Sequence, residues 1–139
     1  MRLISASVPA LVITILLAGC SEPAWFKLYN NTPDTIVVTD GNKKRFAVAS
    51  LSHIRLVAGI NETTGFLVEI GTIRTACDFP HGVGIPRPFW SDKRGCTDLC
   101  LQLQPDRKIY IVHPCSTFPV QDLPEQPNGF PLSAVRTIE

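Results

Sequence analysis

The sequence predicts an all-β fold, a small and mainly antiparallel β-sandwich of about six or seven short strands, stabilised by disulfides and ending in a proline-rich tail. Three observations predict it. Short β-branched, aromatic and aliphatic runs recur between clusters of Gly, Pro, Asn, Asp and Ser. No segment sustains an apolar period near 3.6 residues, so any helix is a turn or two, best placed at Ser91 to Cys96. Setting Cys20 aside, Cys77, Cys96, Cys100 and Cys115 form an even set suited to two bridges in an oxidising compartment.

Taken in order, Trp25 to Asn30 is an aromatic-rich strand ended by Asn30-Asn31-Thr32-Pro33. Thr35 to Thr39 is β-branched at every position and meets Asp40-Gly41, a hairpin signal. Lys44 to Ala49 and His53 to Val57 follow, punctuated by Ser50, Ser52, Gly59 and Asn61. Thr64 to Cys77 reads as the longest strand. Phe66, Val68 and Ile70 share one face there, Ile73 has the opposite parity, and the switch predicts a β-bulge at Gly71.

Leu99, Leu101 and Leu103 alternate with Cys100, Gln102 and Gln104 as a half-buried strand, and Pro105-Asp106 turns the chain into Lys108 to His113. A three-residue loop sets the three leucines opposite Ile109, Ile111 and His113, matching apolar with apolar better than a two-residue loop does. This places His113 on the apolar side, as a buried structural imidazole. Extended, the ladder brings Cys96 beside Cys115, leaving Cys77 to reach Cys100. Cys77 with Cys96 and Cys100 with Cys115 is the alternative. Each bridge contributes about 2–4 kcal/mol by restricting the unfolded chain. A zinc site is disfavoured, because paired short C-x-x-C knuckles are missing.

Ahead of the strands, Met1-Arg2 is followed by an apolar run from Leu3 to Ala18, interrupted only by Ser5, Ser7 and Thr14, the layout of an export signal. The run is shorter than the roughly 20 residues a membrane span needs, contains Pro9 and has no positive cluster after it. Leu17-Ala18-Gly19-Cys20 resembles the lipobox of bacterial lipoproteins. The resemblance implies cleavage before Cys20, about three acyl chains on Cys20, and stable anchoring in a bacterial envelope membrane. It divides the chain into a signal peptide over 1–19, a β-sandwich domain over 20–115 and a tail over 116–139, partly docked or flexible. Ser21 and Glu22 lack the aspartate that retains lipoproteins at the inner membrane in enteric-type sorting, which favours the outer membrane facing the periplasm. Trp25 follows Cys20 so closely that the domain is expected to sit against the bilayer.

Without Arg2, the 13 basic residues become 12 against 12 acidic ones, so no basic field points to nucleic acid. Catalytic patterns are missing: there is no G-x-S-x-G, the histidines His53, His81 and His113 are scattered, and Gly82-Val83-Gly84 does not open a helix. Asn30-Asn31-Thr32 and Asn61-Glu62-Thr63 fit a glycosylation pattern that an exported bacterial lipoprotein would ignore. The expectation is a non-enzymatic interaction or accessory module without metal or cofactor, holding an envelope protein by a sheet edge, the Cys77 to Cys96 loop or the tail. In that loop Arg87, Phe89, Trp90 and Arg94 are the partner-binding candidates, since aromatics and arginine dominate interface hot spots. The competing structural role for Phe89 and Trp90 is to fold back and cap the sandwich. The rival function is a ligand- or carbohydrate-binding module, or an inhibitor of an envelope enzyme, acting through the same loop. A deep aromatic pocket would favour the rival, and an open strand edge or flat apolar patch would favour a protein partner.

Overall fold

The computed structural model describes residues 25–58, 65–79, 86, 89, 99–113, 118–133 and 136–138. Among these, the chain forms β1 (Trp25–Asn30), β2 (Ile36–Thr39), β3 (Arg45–Val48), β4 (His53–Val57), β5 (Gly65–Ile70), β6 (Ile73–Asp78), β7 (Leu99–Leu103), β8 (Ile109–Ile111) and β9 (Arg136–Ile138). One sheet has the order β4-β1-β7-β8 and the other β3-β2-β5-β6-β9. Neighbours are antiparallel except β1 and β7, which run parallel. The predicted all-β sandwich is therefore what forms. Among the described residues it has nine strands where six or seven were expected, because one predicted strand is two and the tail adds another.

Period-two alternation builds the core. Phe26 and Leu28 of β1 and the leucines of β7 pack with Ile36, Val38, Phe66 and Val68 of the other sheet, all buried. At one end Phe26, Phe66 and Phe79 form an aromatic triad with ring centroids 4.7, 5.5 and 5.6 Å apart.

Two tight hairpins share a design. Asp40 N–H donates to Lys44 C=O while Lys43 N–H donates to Asp40 C=O, and Lys43 takes a left-handed φ of 63°. Gln104, Lys108 and Arg107 repeat the pattern, Arg107 having φ 64°. This is the three-residue loop with a left-handed closing residue. It sets Leu103 opposite Ile109 and Leu101 opposite Ile111, the register that apolar matching predicts.

The bulge predicted at Gly71 is a correction. Ile70 pairs with Ile73 across a two-residue turn in which Gly71, at φ 60°, occupies the first central position, so the chain reverses there. The parity switch was real, but it marks a reversal between two strands and not an insertion in one. Phe66 and Cys77, of opposite parity in sequence, face each other across the hairpin, both in the core.

The half-buried reading of Leu99 to Leu103 is also corrected, since all five residues are buried. The C-terminal segment covers their outer side. Phe118 stacks on Tyr29 with centroids 5.1 Å apart. The buried Gln102 amide donates to Val120 C=O at 3.0 Å and accepts from Val120 N–H at 2.8 Å. Further on, Gln126 pairs its amide with both backbone groups of Ile111, and Leu132 exchanges two backbone bonds with Ile109. Phe130 and Leu132 enter the core, and β9 then pairs with β6 in the other sheet. The described part of the predicted tail is thus a strap joining the two sheets.

Cys77 carries a buried free thiol, and Cys100 is disulfide-bonded. Neither predicted pairing of Cys77, with Cys100 or with Cys96, is formed. Alternation explains why the first fails: Cys77 faces the core from β6, whereas Cys100 lies between Leu99 and Leu101 and so points to the opposite side of its sheet. Cys96, Cys115 and the turn expected at Ser91 to Cys96 lie outside the described residues, as do Cys20 and the signal segment. His113 is exposed and not buried, because β8 ends at Ile111 and the chain leaves the ladder after Val112.

Candidate interaction surface

A β-sandwich has two lateral sides where edge strands end the sheets, and an unpaired edge is a template for another strand. On one side the strap covers the outer edge of β8 and adds β9 to β6, so that the three-residue β9 ends that sheet. Gln104 with Lys108 is a hydrogen-bonded pair, so alternation directs the N–H and C=O of Ile109 and Ile111 away from β7. Leu132 and the Gln126 side chain take all four of those groups. In the other sheet β9 pairs with β6 and is itself the last strand.

The opposite side is formed by β3 and β4. Asp40 with Lys44 is a hydrogen-bonded pair, so Arg45 and Ala47 direct their backbone groups away from β2. Asn30 N–H donates to Ser52 C=O, which by the same alternation turns the backbone groups of His53, Arg55 and Val57 outward from β1. Gly41 N–H occupies the Val57 carbonyl at 3.0 Å. No strand of the described residues pairs with the outer edge of either β3 or β4.

Between these edges the chain turns at 49–52, and Leu51 stands at the corner. It is 66% exposed, against 40% for Trp25, the other large apolar side chain left open among the described residues. Leu51 also holds φ 57°, a left-handed conformation that costs a non-glycine residue about 1–2 kcal/mol. The surroundings fix it there. Asn30, fully buried, donates its side-chain amide to the carbonyls of Asp34, Val48 and Ala49 at 2.8, 3.1 and 3.2 Å and accepts from Thr32 N–H and Oγ1. Its backbone carbonyl accepts from Leu51 N–H at 2.8 Å, and Ser50 Oγ donates to Thr32 C=O at 2.6 Å. The Asn30-Asn31-Thr32 pattern is therefore a structural clamp. Sequence reading missed this role, and the one available signal was an Asn ending an apolar strand.

Of the predicted binding residues, Phe89 is partly buried and packs against the core, with its N–H donating to Pro86 C=O at 3.1 Å. It fits the capping role. Arg87, Trp90 and Arg94 lie outside the described residues. His53 is exposed and its ring lies 5.7 Å from that of Phe118. His81 lies outside the described residues.

Chemically reactive groups are sparse. Burial, reinforced by the neighbouring Asp78 charge, pushes the Cys77 thiol from 9.0 up to about 12, which keeps it protonated and a poor nucleophile. Tyr110 Oη donates to Asp106 Oδ2 at 2.8 Å, a bond to the neutral phenol that raises its pKa. Among the described residues no cluster of three or more His, Cys, Asp or Glu could hold a metal. The described residues include two open hollows. One of about 360 Å³ lies over Thr39, Leu67 and Ala76, with Asp40, Lys43 and Asp78 at its rim. The second, of about 480 Å³, lies among Asp34, Thr35, Ile70, Gly71, Ile73 and Arg107. Neither is a deep aromatic pocket.

Compared with protein-family models, curated proteins and solved structures, the chain matches none. The surface itself therefore carries the functional reading. No described helix is long and apolar enough to cross a membrane.

Proposed function

We propose that this chain is a lipid-anchored interaction module of the bacterial envelope, non-enzymatic, that holds a partner protein by strand addition along the β3 and β4 side. Cys20 carries the lipid, and the outer membrane facing the periplasm is its location. The observation that carries the reading is the rigidly held, exposed Leu51 between two edges that no strand of the described residues pairs, while on the other side the chain's own strap covers β8 and β6 and leaves the three-residue β9 as the edge. Backbone hydrogen bonds supply affinity in strand addition, and an apolar anchor supplies specificity. The inward packing of Phe89 weighs against ligand binding or enzyme inhibition through the Cys77 to Cys96 loop.

The test is a crosslinking pull-down of the native protein from membranes, with Ala47→Pro and Leu51→Asn variants beside it. Proline at 47 removes a donor that points away from β2, so the fold keeps its ladder while the edge is blocked. The expected result is a partner that crosslinks to the unaltered protein and is lost from both variants. A partner retained by both rejects the edge as its site.

A further inference from the structure

β1 runs from Trp25 to Asn30 and β4 returns antiparallel to it, so Trp25 and Val57 mark one end of the sandwich and the Leu51 corner the other. The strand between them spans about 20 Å, six residues at about 3.3 Å each. Five peptide steps separate Cys20 from Trp25, a reach of at most about 17 Å. A lipid on Cys20 therefore brings the Trp25 end to the membrane and leaves Leu51 at the far end.

That near end carries the groups a bilayer interface selects. Phe26 faces the core, so Trp25 stands on the outer face, and the Arg55 guanidinium lies over its ring 4.3 Å from the centroid. The Asp40 to Lys44 turn is tied to the same end by the bond from Gly41 N–H to Val57 C=O, and it exposes Lys43 and Lys44. Asp40 in that turn is buried and accepts from Asn42 and Lys44 N–H; among the described residues near the turn, Asp78 is the exposed acid. An amphipathic indole at headgroup depth with flanking cations is the usual interfacial anchor.

Building on the lipid-anchor reading, we propose that Trp25, Arg55, Lys43 and Lys44 form a membrane seat, in which the indole enters the headgroup region and the cations meet lipid phosphates, standing the sandwich upright with Leu51 facing away from the bilayer.

The experiment uses native protein purified from membranes with Trp90→Phe, so that Trp25 is the sole tryptophan, reconstituted in phosphatidylethanolamine and phosphatidylglycerol vesicles with or without brominated chains. Trp25 emission is expected to shift to the blue and fall by about half in brominated vesicles. The Lys43→Glu, Lys44→Glu double variant is expected to lose most of that quenching. The mass of the N-terminal peptide reports acylation separately. An acylated protein with unquenched Trp25 overturns the seat and leaves the anchor standing. Quenching that the double variant leaves unchanged overturns the role of the lysines. An unacylated Cys20 overturns both anchor and seat.

Discussion

The two lateral sides of this sandwich are built from the same kind of strand and end differently. On the β8 and β6 side every outward backbone group of Ile109 and Ile111 is taken by the strap, and β9 pairs with β6. On the β3 and β4 side, Gly41 closes a single carbonyl and no strand of the described residues covers the rest. The strap covers β8 with the Leu132 backbone and the Gln126 side chain, from a proline-rich segment poorly suited to a central strand. Prolines lack the N–H that would need a partner, and a glutamine side chain offers both a donating NH2 and an accepting oxygen, the two kinds of group a backbone residue presents. A chain that covers β8 and β6 with its own strap, and sets no strand of the described residues against β3 or β4, is expected to use the latter side.

Removing residues 118–139 is the most severe way to break this contrast. It takes Phe130 and Leu132 from the core and strands Gln102 and the β8 edge, so the loss is expected to exceed about 5 kcal/mol, the lower end of domain stability. Circular dichroism on heating should then show no cooperative transition. A truncated chain melting within a few degrees of the parent would mean that the strap is an ornament on a self-sufficient sandwich.

Replacing Gln102 by Leu keeps the volume but leaves both Val120 backbone groups without their partner. A destabilisation of about 2–3 kcal/mol is expected in urea titrations, with an unchanged m-value.

Cys77 reports on the strapped side, since it lies on β6 next to Ala76, where the pairing with β9 ends. Its folded pKa of about 12 stands above the unfolded 9.0, so the contribution is present in full below pH 9 and is lost as pH rises towards 12. At about pH 10.5 the thiol alone should lower stability by about 2 kcal/mol relative to neutral pH. The Cys77→Ala variant should lack that component of the alkaline slope, and an identical slope in the variant would count against a buried protonated thiol.

The smallest effect sharpens the open side. Leu51→Asn relieves left-handed strain at an exposed position and is expected to raise stability by about 1 kcal/mol while partner binding is lost. A variant less stable than the parent would show that Leu51 contributes to the fold itself. By comparison, the exposed Arg45 and Arg74, both paired to Glu69, mark an outer sheet face where alanine replacement costs less than about 1 kcal/mol.

Much of the fold was legible in the residues. Strands β1 and β4 fall where alternation and punctuation put them, and the leucine ladder of β7 fixed the register of its hairpin with β8. Gly71 was legible as an irregularity but not as a reversal, because a parity switch is common to a bulge and to a two-residue turn. The candidate site was hardly legible. Leu51 looks like any apolar residue between two strands, and its exposure and left-handed backbone follow from Asn30, whose partners at Val48 and Ala49 are distant in sequence.

What the sequence by itself determined is therefore the class of fold, the position of most strands and the closeness of Cys20 to the first of them, because periodicity, turn residues and chain length act locally. The tertiary structure alone decided that Cys77 stays unpaired, that Phe89 turns inward, that the proline-rich end straps one side and that no strand of the described residues pairs with β3 or β4 on the other. Those outcomes depend on which faces meet across the two sheets, and no local pattern encodes a contact between residues tens of positions apart.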